Sequence, residues 1–216
     1  SSRNCPAYVV ENFQAVSNAF PNDPTRVVRS AGGQILQGNV GFVNASEVTT
    51  SGVDFSAKYD WDTSAGLVRP FIEGTYVLEY DLEDPQAGSV DGAGRRNFTN
   101  FGPSTPELRF NAGVGWINGA HSAHLFARYI SAYDDDQNPD ATTGALPEID
   151  SWTSFDAQYA VDTAVLFDRE VAPILTFGVI NLTGEDPPQV FTNGGFDSKV
   201  HDPRGRLFYV RFKQAF

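Results

Sequence analysis

From residue 48 onward the chain repeats one rhythm. About ten residues alternate between apolar and polar, a short turn follows, a second alternating stretch comes, and then a long polar loop. In SGVDFSAKYDW, Val53, Phe55, Ala57, Tyr59 and Trp61 share one side, and Asp54, Ser56, Lys58 and Asp60 the other. LVRPFIEGTYVLEYD sets Val68, Ile72, Tyr76 and Leu78 against Arg69, Glu73, Thr75 and Glu79. ELRFNAGVGW sets Leu108, Phe110, Val114 and Trp116 against Arg109, Asn111, Gly113 and Gly115. SAHLFARYISAY is less clean, because Phe126 and Ile130 share a face with His124 and Arg128. WTSFDAQYAV places Phe155, Ala157 and Tyr159 opposite Ser154, Asp156 and Gln158, and PILTFGVINL is ambiguous in phase. The closing GRLFYVRFKQAF puts Phe208, Val210, Phe212 and Phe216 on one face, with Gln214 its polar exception, and Tyr209, Arg211 and Lys213 on the other. A period of two is the signature of a half-buried strand, so the chain reads as all-β, with about seven long strands over 48–216.

The first segment, 1–47, lacks this rhythm. PAYVVENFQAVSNAF has Tyr8, Phe13 and Val16 near one side of a short helix, and RVVRS with QILQGNVGFVN suggests a hairpin turning at Gly32-Gly33. The segment is read as loop structure preceding the strand region.

Alternation alone leaves the solvent of the apolar face open. In a soluble sandwich that face packs on a second sheet; in a membrane barrel it meets lipid while the polar face lines water. Two patterns favour the barrel. Connections alternate in length, with 62–66, 118–121 and 162–171 short and 82–105, 134–150 and 183–204 long, as in barrels with brief turns on one side and long loops on the other. Tyr59, Trp61, Tyr80, Trp116, Tyr133 and Trp152 also sit at strand ends, where interfacial aromatic girdles lie.

Composition narrows the choice. With 41% hydrophobic and 19% charged residues the chain is too apolar for disorder. No run approaches the ~18 apolar residues of a spanning helix, which says nothing against spanning strands. The net charge of −12 argues against nucleic acid as a partner, since binding a polyanion wants clustered Lys and Arg. Cys5 stands alone and makes neither a disulfide framework nor a metal site. The sequence contains no methionine and no visible leader, so it reads as processed or as part of something longer.

Ordered segments then carry a family resemblance. HDPRGRLFYVRFKQAF resembles the last loop and last strand of TonB-dependent outer-membrane receptors. VINLTGEDPP resembles the segment before it, NASEVTTSGVDFSAKYDW the family's Gly-Val-Asp/Glu strand, and RYISAYDDD a strand rising into a loop. The resemblance covers most of the chain from about residue 25 and keeps the family's order. It implies the C-terminal portion of an antiparallel transmembrane β-barrel, about seven strands of roughly 22. It implies that the last strand runs to the periplasm, that 82–105, 134–150 and 183–204 lie outside the cell, and that 1–47 is the late part of an earlier external loop. Phe208, Val210, Phe212 and Phe216 become a signal for the barrel assembly machinery.

Seven strands leave two edges whose unpaired backbone groups cost several kcal/mol each in lipid. The expected partners are therefore a second polypeptide carrying the plug and the remaining strands, the TonB complex through that partner, and outer-membrane lipid and lipopolysaccharide. Cys5 is either half of an inter-chain disulfide or a free thiol.

No catalytic constellation is legible. His121, His124 and His201 are the only histidines and show no triad spacing, and His121 with His124 is a weak metal pair. GAGRR lacks the context of a phosphate loop. Asp134, Asp135, Asp136 and Asp140 loosely resemble a calcium loop but lack its Gly and Glu, so a solvated acidic loop is the plainer reading. No cofactor or metal is expected. Under the resemblance, Arg69, Glu73, Arg109, Asp156 and Arg211 face the lumen, where they are hydrated or touch the plug. Phe98, Phe101, Phe191 and Phe196 lie in the external loops, gripping ligand or packing on the loops themselves. The function implied is TonB-dependent uptake of a scarce nutrient; a passive porin and a soluble β-sandwich binding module are the alternatives. Deleting Phe216 is expected to lower outer-membrane insertion, measured by fractionation, and unchanged insertion would remove the signal role.

Overall fold

The computed structural model describes residues 3–10, 23–39, 42–84, 88–100, 102–192 and 194–214. Alternation becomes strand almost wherever it occurs. The strands are β1 (Arg3–Val10), β2 (Val27–Arg29), β3 (Ile35–Gly38), β4 (Phe42–Lys58), β5 (Trp61–Thr63), β6 (Gly66–Asp84) and β7 (Gly88–Asp91). They continue as β8 (Leu108–Asn118), β9 (His121–Ile130), β10 (Tyr133–Asp134), β11 (Glu148–Ile149), β12 (Trp152–Asp162), β13 (Ile174–Ile180) and β14 (Leu207–Lys213). One helical turn, α1 (Thr163–Leu166), closes the connection after β12, where the Asp162 carboxylate accepts from Ala164 N at 2.9 Å and Val165 N at 3.3 Å.

The chain divides into two units, and the long strands β4 and β6 contribute to both. The first unit comprises 1–52, 77–105 and 134–147. Within it β1 runs antiparallel to β4 from Arg3↔Thr50 to Val10↔Phe42, with a register shift between Cys5 and Ala7. Pro6–Val10 is thus strand inside a segment read as loop with the spacing of a short helix: Val9 and Val10 are β-branched, and the tertiary pairing overrides that spacing. The expected hairpin is β2–β3, turning through Gly33 at φ 83°. The loop after β7 wraps Asn97, which is buried at φ 55° and donates to Gly92 O at 2.9 Å and Pro103 O at 2.8 Å. Asn tolerates that left-handed backbone, and its amide replaces missing sheet partners for two carbonyls.

The second unit comprises 53–76, 106–133 and 148–216. Its strands follow the order β4-β6-β8-β9-β12-β13-β14, an antiparallel meander of the seven expected strands, with β5 pairing back on β6. Within this unit β4 and β14 are the two edges.

Register fixes which side chains share a face. Val114 pairs with Leu125, Leu125 with Ala157, Ala157 with Val179 and Val179 with Phe208, so one apolar row crosses the strands. PILTFGVINL is resolved by the same ladder: Leu175, Phe177 and Val179 lie on the apolar face, Thr176 and Gly178 on the other. The faces are inverted relative to a water-soluble domain. On the apolar face Leu125 is 44% exposed, Phe177 50% and Phe208 71%, whereas polar Ser154, Thr176 and Asp156 are buried. A large apolar side chain left in water forgoes much of the ~1.5–3 kcal/mol its burial supplies. Repeated across this face, that loss rivals the whole ~5–15 kcal/mol stability of a domain. The face is stable only against hydrocarbon. In the assembled barrel Leu125→Arg should destabilise by about 2–4 kcal/mol. Glu73→Gln on the opposite face should stay within about 0.5 kcal/mol, read by denaturant unfolding from lipid vesicles. Equal effects at the two positions would contradict the facing.

Candidate functional site

The polar face carries the candidate site. The pairings Arg69↔Gly115, Glu73↔Asn111 and Thr75↔Arg109 on β6–β8, then Asp156↔Phe126 on β9–β12 and Thr176↔Arg211 on β13–β14, bring Arg69, Glu73, Arg109, Asp156 and Arg211 onto one side of the sheet. Arg69 Nε donates to Asp60 Oδ1 at 2.6 Å, and Arg128 pairs with Asp156. The other Asp156 oxygen accepts from Asn181 N at 2.9 Å, which fixes the first residue after β13 at φ 52°. A concavity of about 680 Å³ opens on this side, lined by Glu73, Thr75, Arg109, Asn111, Arg128 and Ser154. Charges of both signs line it beside apolar Ile130, Trp152, Ile180 and Val200.

Glycines seat rings on the same face. A Cβ at Gly113 would strike the Phe71 ring, one at Gly115 the His124 imidazole, and one at Gly178 the Tyr209 ring. The His124 ring stacks on Phe126 with centroids 5.8 Å apart, and Phe126 meets Phe71 edge-on at 5.9 Å. Tyr209 OH donates to Gln158 Oε1 at 2.9 Å. Each glycine lets a cross-strand ring lie flat on the sheet. The sequence signal was Gly alternating with polar residues opposite an aromatic, and it was missed.

The loop residues depart from expectation. Asp134–Asp136 do not form a solvated acidic loop. Asp135 is buried and accepts from Arg96 Nη1 at 3.0 Å, and the same nitrogen donates to Gln137 Oε1 at 2.6 Å. Asp136 accepts from Phe98 N at 2.7 Å, Thr99 N at 2.9 Å and Thr99 Oγ1 at 2.5 Å. Burial works against its ionised form, yet the Thr99 hydroxyl and the two backbone N–H groups outweigh it and hold the carboxyl below its ordinary 3.8. Asp140 instead closes its own turn, accepting from Thr143 N at 2.7 Å. Among the described residues no group of His, Cys, Asp and Glu is placed to hold a metal ion. His121 lies 2.6 Å from the Tyr159 hydroxyl, on the face opposite His124.

Of the loop aromatics, Phe98 is exposed beneath the Arg96 guanidinium, 4.7 Å from its ring centroid. Phe191 is 83% exposed, and half-buried Phe196 packs over Gly194. Phe101 lies outside the described residues. Phe208, Val210 and Phe212 stand exposed on the apolar face, while Phe216 and the Cys5 side chain are likewise outside the described residues.

Two aromatics expected in the strand-end girdle are elsewhere. Both are buried, Tyr133 in a small core with Ile149, Val190 and Val200, and Trp152 at the start of β12. His201 joins them, its Nε2 3.2 Å from the Tyr133 hydroxyl and its ring 5.7 Å from Trp152, edge to face. Nothing in the spacing of Tyr133, Trp152 and His201 announces this, because the contact spans 68 residues and three connections.

Comparisons with known proteins agree with this architecture. A family model described as "TonB dependent receptor-like, beta-barrel" matches residues 10–182. A search of curated proteins finds no match. Among solved structures, the ferric enterobactin receptor (PfeA) mutant G324V from Pseudomonas aeruginosa superposes with a TM-score of 0.52 at 14% identity, over 83% of this chain and 24% of that one. The copper transporter OprC gives a TM-score of 0.49 at 16% identity, over 82% of this chain and 25% of that one. The chain thus spans about a quarter of the length of these structures. Asp136→Asn should weaken the 98–99 anchor by about 1–3 kcal/mol. The same anchor should hold above the ordinary carboxylate range and fail as pH falls through the depressed value. Hydrogen exchange at Phe98 and Thr99 is the readout, and unchanged protection in the variant would show that the carboxylate does not hold them.

Proposed function

The chain belongs to the TonB-dependent receptor-like β-barrel family, placing it in the bacterial outer membrane, and from that premise we propose that it forms one wall of a nutrient-uptake barrel. The observation that carries the reading is the inverted pair of faces. An apolar row open to hydrocarbon backs a charged, glycine-seated face suited to a watery lumen. In this reading Arg69, Glu73, Arg109, Asp156 and Arg211 line the lumen, and the concavity above them lies on the solute's route. Phe98 and Phe191 are presented to incoming ligand from the loops, with Phe101 and Phe196 beside them in sequence. The scarce nutrient is transported actively, through a plug and TonB. The ferric enterobactin receptor shows the shared fold at low identity and leaves the ligand of this chain open.

Seven strands cannot seal a lumen against lipid. The remaining strands and the plug come from residues outside these 216. Residues 1–47 belong to an external loop, lipid and lipopolysaccharide cover the apolar face, and the assembly machinery reads Phe208, Val210 and Phe212 with Phe216.

Extraction of outer membranes in mild detergent is expected to yield this chain bound to plug-bearing barrel strands, with ligand accumulation lost when TonB is removed. A partner without a plug, and accumulation indifferent to TonB, would favour a passive porin. A compact monomer soluble without detergent would overturn the membrane reading altogether.

A further inference from the structure

We propose that His201 is the proton-sensitive pin of a latch holding the loop between β13 and β14 in its docked position. The loop folds back on itself, with His201 N donating to Asp197 O at 3.0 Å, and sets Val190 and Val200 against Tyr133 and Ile149. The polar centre of this contact is a three-member relay. Tyr133 OH lies 3.1 Å from Asp197 Oδ2 and 3.2 Å from His201 Nε2. The phenol has one proton to give. Donated to the Asp197 carboxylate, it leaves the phenol oxygen to accept from Nε2–H of a neutral imidazole. Nδ1 then holds a bare lone pair, buried, with no hydrogen-bond partner among the described residues.

The latch is therefore satisfied by one protonation state. A proton arriving at Nδ1 creates an imidazolium that is 4% exposed and gains no acceptor at that nitrogen. Arg109 from β8 repels it and Asp197 from the loop itself attracts it, while Tyr133 of β10 and the Trp152 edge from β12 bring no charge. Burial outweighs the Asp197 attraction and holds the imidazole below its ordinary 6.5. The released loop, with His201 in water, binds the proton more readily than the docked loop. The docked state thus has its full stability above pH 6.5 and loses it as pH falls below that value. Between the two pKa values each tenfold rise in proton activity shifts the docked-to-released ratio by up to about tenfold. The neighbouring Asp202 does not take part, because Arg204 holds its carboxylate at 2.6 Å.

The latch needs only these contacts; that it opens toward the cell exterior rests on the orientation proposed above. The test is hydrogen exchange on the assembled receptor from about pH 7.5 to about pH 5, with labelling times corrected for intrinsic rates. Protection of 188–201 in the wild type is expected to fall severalfold over this range, with onset below 6.5. His201→Gln, whose amide still donates to Tyr133 and cannot charge, is expected to keep its protection. A flat wild-type profile, or an equal fall in His201→Gln, overturns the proposal. Should His201→Gln not assemble, the wild-type onset decides alone, since protection still intact at about pH 5 would leave only carboxylates to titrate and refute the role of His201. Protease added to whole cells tests the orientation separately, because an uncut loop on cells with a responsive loop in purified receptor would remove the orientation and leave the latch standing.

Discussion

Hydrocarbon in contact with one face of a sheet is the constraint from which the rest of this molecule follows. Across β8, β9, β12, β13 and β14 runs the row Val114, Leu125, Ala157, Val179 and Phe208, in which Val114, Leu125 and Phe208 stand exposed among the described residues. The other face is no ordinary hydrophobic core: polar Ser154, Asp156 and Thr176 are buried on it alongside Trp152 and Ala160. Lipid forgives no unpaired backbone, so every strand in the middle of the sheet is bonded on both sides; among the described residues of this unit the edges left to be matched are β14 and the part of β4 beyond its pairing with β1.

The same constraint explains why, among the described residues, the hydrophobic cluster of the second unit is built from the short strands β10 and β11 and the loop after β13. Water returns there, and with it the drive to bury apolar surface. Tyr133, Ile149 and Val190 form one small core, and Leu82 is fully buried beside Asn97 in the other unit. These cores are too small to order long polar loops alone. Buried charge and amide contacts complete the work: Arg96 with Asp135 in one unit, and Asp197 with Tyr133 and His201 in the other. Removing either partner of such a pair would strand a buried polar group, which is why the acidic loop is ordered and not a solvated fringe.

Legibility in the sequence tracks how local each interaction is. The seven strands and their short turns could be read from Val53 to Phe212 because a period of two is a property of neighbours in the chain. Strand β13 defeated that reading, since Thr176 and Ile180 share the polar side and only the ladders to β12 and β14 settle the phase. The five charged residues of the polar face were found from alternation, and register brought them to one side. Trp152 and Tyr133 were misassigned to an interfacial girdle because a strand-end aromatic looks alike whether lipid headgroups or a loop cover it. The staples made by Asp135, Asp136 and His201 were invisible for a related reason: each joins residues about 40 or more positions apart, and no spacing rule reaches that far.

One carboxylate ties the wall to the loop above it. Asp156 takes Arg128 with one oxygen and Asn181 N with the other, so the cross-strand ion pair also sets the left-handed exit of the chain from β13. Asn181 then closes the first turn of the loop, donating to Glu185 O at 2.8 Å while its side-chain oxygen accepts from Glu185 N at 2.9 Å. An ion pair on a hydrated face contributes little stability by attraction alone. Its larger consequence is geometric, because a left-handed non-glycine residue persists only where its surroundings over-determine it. The loop that carries Phe191 and His201 therefore leaves the sheet in a direction dictated by the polar face.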